Sequence, residues 1–204
     1  CGVPGNENVG FIGDVVTRDM GKTFEYMDGC NGVRTYDPEG KTLFGTFWDS
    51  TIVKSEDEGE TWEKVWFSDG SRIFDLAYDN KNGYLYFINW GGLNRMKLDG
   101  SEPESIAYPS KHALSVCVDP ENPSIIYLAC SSHAEFGFPN ILRSLDGGKT
   151  WTILDRLPND NRTGPDGGKQ PTQIRINPAT RELFVLCGCR GIWKIKCCPA
   201  DATN

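Results

Sequence analysis

The sequence predicts an all-β fold made of repeated four-stranded antiparallel units, on three observations. An eight-residue pattern, Ser/Thr-x-Asp-x-Gly-x-Thr-Trp/Phe, occurs three times, as 17–24, 55–62 and 144–151. Its Asp residues, with a degenerate copy at Asp99-Gly100, follow one another as Asp19, Asp57, Asp99 and Asp146, at intervals of 38, 42 and 47 residues. Those intervals hold four short strands with their turns, and self-similarity at such a period decides architecture before any single residue does. Between the copies lie short alternating runs bounded by Gly, Asp, Asn and Pro, which read as strands.

Each copy of the pattern encodes a tight hairpin. Gly21, Gly59 and Gly148 supply a position where the backbone takes φ > 0. Asp19, Asp57 and Asp146 are placed to accept backbone N–H bonds across the turn. The closing aromatic, Phe24, Trp62 or Trp151, points back to anchor the hairpin on the hydrophobic body. In these residues the chain resembles the Asp-box, or bacterial neuraminidase repeat, family, which includes sialidases, sortilin-type receptors, xyloglucan-degrading enzymes and photosystem assembly factors. The resemblance implies a β-propeller with the motif between the third and fourth strands of a blade, away from the binding face.

In chain order, Val15–Arg18 and Thr23–Met27 flank the first hairpin. The first full unit has strands over 32–36, 42–48, 51–55 and 61–66. The second runs over 72–78, 84–89, 93–98 and 104–108, and the third over 113–118, 125–129, 141–144 and 151–154. The last, over 172–176, 182–186 and 192–196, stops at three strands. A three-stranded blade leaves an edge, which a closed ring covers by borrowing a strand from the other terminus. The N-terminal piece is placed either to supply that strand or to form a short blade of its own, so the reading is five blades, with four as the alternative. Residues 1–204 form a single domain, a piece of a larger ring, or a protomer of an assembly.

The eight cysteines show no common zinc spacing and read as disulfides of an oxidising compartment. Cys187, Cys189, Cys197 and Cys198 cluster at one end, and Cys1 and Cys30 flank the other. Bridges between those groups would lock a ring seam, each stabilising by about 4 kcal/mol in the loop-entropy model. Cys117 and Cys130, on neighbouring strands, form a further candidate pair. Cys1 with no preceding Met suggests a removed signal peptide or a fragment of a longer chain, and Asn161-Arg-Thr is a glycosylation sequon. The expectation is a secreted or extracellular glycoprotein.

A net charge of −7 and pI near 4.9 argue against tracking nucleic-acid phosphates. No stretch approaches the roughly 20 apolar residues that span a bilayer. No cofactor or metal motif is present.

If the hairpins define one face, the turns between second and third strands and the links between blades lie on the other, where propellers of the resembled family bind. The residues landing there as candidate ligand contacts are Trp48, Asp49, Asp69, Arg72, Trp90, His112, His133 and Arg190. Trp48 and Trp90 occupy matching places in successive blades, beside Asp, Asn and Arg, a combination suited to stacking on sugar faces and bonding hydroxyls. Ordinary packing between blades would explain the same tryptophans, and Trp66 and Trp193 are expected in the core. Sialidases of the family carry an Arg-Ile-Pro motif near the N-terminus. Arg72-Ile-Phe is the nearest match, so no catalytic residue is assigned. The leading expectation is a non-catalytic propeller binding a glycan or extracellular protein. The alternatives are a self-associating structural subunit and a glycosidase working through Asp28, Asp49, Asp69 and Glu135.

Overall fold

The computed structural model describes residues 2–3, 6–37, 41–109, 112–131, 140–156, 171–187 and 191–196. They form a five-bladed β-propeller of four four-stranded sheets and one three-stranded sheet, each with its strands in sequence order. Blade 1 holds β1 (Gly2–Val3), β2 (Asn6–Ile12), β3 (Val15–Thr17) and β4 (Glu25–Tyr26). Blade 2 holds β5 (Gly32–Asp37), β6 (Thr42–Phe47), β7 (Thr51–Ser55) and β8 (Glu63–Phe67). Blade 3 holds β9 (Ile73–Asp79), β10 (Tyr84–Asn89), β11 (Gly92–Lys97) and β12 (Glu104–Ile106). Blade 4 holds β13 (Ala113–Val118), β14 (Ile126–Cys130), β15 (Asn140–Ser144) and β16 (Thr152–Arg156), and blade 5 holds β17 (Pro171–Asn177), β18 (Glu182–Cys187) and β19 (Gly191–Lys196).

Among the described residues the borrowed strand is not formed. The N-terminal segment adds β1 and β2 and completes its own blade, and the described part of blade 5 stays at three strands. The polar run Asn6-Glu-Asn that opens β2 hid this strand, because alternation starts only at Val9 and Phe11.

All three repeated hairpins join third and fourth strands, and their internal bonds are the same. The hydroxyl of Thr17, Ser55 or Ser144 donates to the Asp carboxylate at 2.7–2.9 Å and accepts from the backbone N–H of Gly21, Gly59 or Gly148 at 2.8 Å. The Thr four residues after the Asp donates both its N–H and its hydroxyl to the carboxylate. The residue between Asp and Gly is also left-handed, at φ 61° in Met20, 57° in Glu58 and 73° in Gly147. Gly148 fits a second constraint: a Cβ there would lie 2.7 Å from Ile106 of blade 3. Trp62 packs on the core between blades 1 and 2 and Trp151 on that between blades 3 and 4, whereas Phe24 is half exposed.

Three inner strands run into an Asp or Asn that caps the following turn. Asp79 accepts from the N–H groups of Lys81 and Asn82, Asp119 from Glu121 and Asn122, and Asn177 from Ala179 and Thr180. Four hydrophobic clusters fill the four junctions from blades 1–2 to blades 4–5, and among the described residues none lies between blade 5 and blade 1. Register makes the difference visible. Phe44, Tyr86, Tyr127 and Phe184 each pair with the residue two before the Asp or Asn that follows the inner strand. The first three are 1%, 2% and 1% exposed, and Phe184 is 36% exposed, with Leu186 and Ile192 beside it also open.

At the ring axis, a side-chain network holds four blades together. The Arg175 guanidinium of blade 5 donates to both oxygens of Asp75 in blade 3 at 2.9 Å. It also reaches Ser115 Oγ of blade 4 at 3.3 Å and the Arg34 carbonyl of blade 2 at 3.4 Å. Ser115 donates to Asp75 in turn and accepts from Ile174 N–H.

The disulfide expectation is corrected for the cysteines described. Cys30, Cys117, Cys130 and Cys187 are buried, and none of the four forms a disulfide. Cys117 lies opposite Tyr127 and Cys130 opposite Ala113, and the two side chains belong to different clusters on opposite faces of blade 4. They therefore serve as small apolar core residues. Burial pushes the Cys30 thiol up to about 11 and the Cys117 thiol up to about 12, well away from reactivity. Cys1, Cys189, Cys197, Cys198 and the Asn161 sequon lie outside the described residues.

Candidate functional site

Backbone bonds on the face opposite the hairpins tie second-to-third-strand turns to blade links. Ile73 N–H donates to the Asp49 carbonyl at 2.6 Å, Ser68 N–H to that of Ser50 at 2.9 Å, and Ser131 N–H to that of His112 at 2.9 Å. Trp48, Asp49, Asp69, Arg72, Trp90 and His112 all belong to this set of turns and links. His133 and Arg190 lie outside the described residues.

Trp48 and Asp49 are the first two of the three residues of the β6–β7 turn and both are left-handed, at φ 49° and 57°. That geometry suits the strand twist but favours Asn and Gly. A tryptophan there is strained, at a cost on the order of 1 kcal/mol. The Asn31 side-chain oxygen accepts from Trp48 N–H at 2.7 Å and holds the turn from the preceding link. The indole meets Phe47 edge to face at 5.8 Å, yet Trp48 is 77% exposed.

From this turn a continuous strip crosses to blade 3. The Asp49 carboxylate pairs with Arg72 at 3.4 Å. The Arg72 guanidinium lies 5.7 Å from the centre of the Phe74 ring, and Phe74 meets Trp90 edge to face at 4.8 Å. Trp90, at the tip of the β10–β11 turn, is 66% exposed. The ion pair is half exposed, so it contributes little to stability and serves mainly to set the orientation of Arg72. Asp69, left-handed at φ 51°, stands exposed on the link between blades 2 and 3. His112 is partly buried beside blade 4.

The part that sequence reasoning missed is what joins the Trp48–Asp49 turn to Trp90. Phe74 is the second residue of an inner strand and reads as core. Beyond Trp90 a cleft of about 500 Å³ opens, lined by Trp90, Gly91, Gly92, Ser105, Ala107 and Tyr108 among others. No periodicity marks it, although the Gly91-Gly92 pair is a sequence trace of the space. Trp66 packs on Phe87 at 4.9 Å as a core residue should, whereas Trp193 is 38% exposed.

Chemically, the strip offers indole faces, one cation and one anion that neutralise each other, and amide side chains. Asp28, Asp49 and Asp69 are all solvent-exposed, while carboxylates that work as general acids are kept in apolar or closely paired surroundings. Glu135 lies outside the described residues.

No protein-family model matches the chain, and no curated protein matches it. Solved structures do. A GH74 xyloglucanase from Xanthomonas campestris is 17% identical with a TM-score of 0.68, over 100% of this chain and 37% of that one. A chain of a nidogen/laminin complex is 14% identical with a TM-score of 0.70, over 92% of this chain and 73% of that one. YCF48 bound to D1 peptide is 18% identical with a TM-score of 0.58, over 92% of this chain and 58% of that one. The chain thus spans little more than a third of the xyloglucanase, and at these identities the likeness shows the fold alone.

Proposed function

We propose that this chain is an Asp-box propeller acting as a secreted, non-catalytic binding module, with a glycan or extracellular protein seated on the face opposite the hairpins. The observation that carries the reading is the pair Trp48 and Trp90, 77% and 66% exposed at matching turns, with contacts running from Asp49, next to Trp48 in its turn, through Arg72 and Phe74 to Trp90. Leaving a large aromatic in water forgoes roughly 2 kcal/mol of burial, and Trp48 adds backbone strain. Both penalties are offset when a ligand covers the indoles, and Trp, Tyr and Arg are the residues that anchor interfaces. The structural neighbours fit this use of the scaffold: one is a xyloglucanase, one comes from a nidogen/laminin complex, and one is bound to a peptide. The secreted assignment rests on the Asn161 sequon and on the four cysteines outside the described residues, Cys1, Cys189, Cys197 and Cys198.

Arrays of glycans and extracellular proteins, probed with the wild type and with Trp48→Ala and Trp90→Ala, test the site. The expected result is a ligand whose affinity falls at least about tenfold in each variant, the scale of a 1.4 kcal/mol contact. A ligand bound equally well by all three proteins would remove the assignment.

A second reading, self-association, rests on blade 5. Its Phe184, Leu186 and Ile192 stay open at a position where three other blades are sealed by a neighbour. Sedimentation at high protein concentration should show association that Leu186→Glu abolishes. A monomer under all conditions would end this reading.

A further inference from the structure

The cleft beside Trp90 has the shape and chemistry of a sugar subsite, and we infer that it takes one ring of a neutral glycan. The inference rests on the binding-face reading above and names the ligand class for one end of it. At about 500 Å³ the cleft falls within the roughly 300–1,000 Å³ usual for small-molecule sites. Trp90 forms one wall. Its ring is braced by Phe74 at 4.8 Å, so it is presented in one orientation although it is 66% exposed. Tyr108 forms the other wall, held by the Ala113 N–H at its hydroxyl, 3.5 Å away, and by Trp151 at 6.5 Å between ring centres.

The floor is glycine backbone. A Cβ on Gly92, at φ 118°, would stand 3.2 Å from the Tyr108 ring, and one on Gly91 would stand 3.0 Å from Asn89 Oδ1. A side chain on Gly92 would crowd the Tyr108 wall and one on Gly91 would press on the Asn89 amide beneath, and their absence keeps the floor low.

A relay of uncharged groups runs beneath it. Ser105 Oγ donates to Asn94 Oδ1 at 2.7 Å, and Asn94 Nδ2 donates to Asn89 Oδ1 at 3.3 Å and to the Gly92 carbonyl at 3.0 Å. Asn89 Oδ1 also accepts from Gly91 N–H at 2.8 Å. The relay thereby fixes the Asn89 amide with its oxygen turned inward, and it commits the Ser105 hydroxyl proton to Asn94, which leaves Ser105 Oγ in the cleft lining oriented to accept. None of the lining residues is charged. Aromatic walls for the apolar faces of a ring, a serine hydroxyl oriented to accept from a sugar hydroxyl and no ionic partner together suit an uncharged sugar, and a charged peptide or a uronate gains no ion pair there.

Titration with cellohexaose, mannohexaose and galactohexaose, with an oligogalacturonate as the charged control, tests this by calorimetry and intrinsic tryptophan fluorescence. At least one neutral hexasaccharide should bind, with affinity unchanged between low and high salt because no ion pair is made. Trp90→Ala and Gly91→Val should each weaken it at least tenfold. Trp90→Phe, which keeps an aromatic wall, should retain most of it and stays informative if Gly91→Val fails to fold. If no neutral sugar binds while an array ligand still depends on Trp48, the sugar inference falls and the binding face stands. Sugar binding that depends on Trp48 alone also overturns the cleft. Binding indifferent to Trp48, Trp90 and Gly91 overturns both.

Discussion

Asp57 and Asp146 show how much one carboxylate does in a turn of eight residues. Burial alone would raise the Asp57 pKa, but the Thr61 hydroxyl and N–H, with Ser55, outweigh it and hold the group at about 2. Asp146 is held at about 2 mainly by the Thr150 hydroxyl, then by Thr150 N–H and Ser144. Asp19 shifts the same way, led by Thr23 N–H. A carboxylate with a depressed folded-state pKa stabilises the fold above its unfolded value near 3.9, and that contribution disappears as pH falls toward 2. Urea midpoints measured from pH 5 to pH 2 should therefore drop, and the Asp57→Asn, Asp146→Asn double variant should start lower and fall less steeply. A parallel curve for the variant would show that the hairpin carboxylates are not the groups responsible.

At the scale of elements, the hairpins were legible because everything that makes them lies within eight residues. Hydroxyl, carboxylate, glycine and threonine bond to one another, so no distant partner had to be guessed. The inner-strand caps were legible in principle, since Asp37, Asp79, Asp119 and Asn177 recur at one place in four blades. Strand β2 escaped because its polar first half bears no alternation. The faces of the blade turns followed from strand count alone, which is why Trp48, Asp49, Arg72 and Trp90 were placed together. Their linkage through Phe74 was not legible, because an inner-strand aromatic looks the same in sequence whether its ring meets core or an exposed indole. The cysteines misled for a related reason. Composition cannot separate a disulfide half from a small core residue, and four of the eight are buried thiols.

For the whole molecule, the decisive contact is the one at the axis. Asp75 is 4% exposed and Arg175 36% exposed, so removing the guanidinium leaves a buried carboxylate without its cation. Arg175→Met should destabilise the protein by about 3 kcal/mol in urea unfolding, and adding Asp75→Asn should recover part of that loss. A single variant as stable as the wild type would mean that solvent, and not Arg175, satisfies Asp75. The hydrophobic junctions act between neighbouring blades, but this pair acts across blade 4, from β9 to β17.

That reach limits how the ring can change in number. Propellers are built from like units, and duplication or loss of a unit is the simplest alteration such a gene can undergo. Here Arg175 meets Asp75 only while a single blade separates β9 from β17 and Ser115 stands between them. A copied or deleted blade in that interval would separate the charges or force them past each other, so the axis counts the blades and fixes their number at one between the third and the fifth.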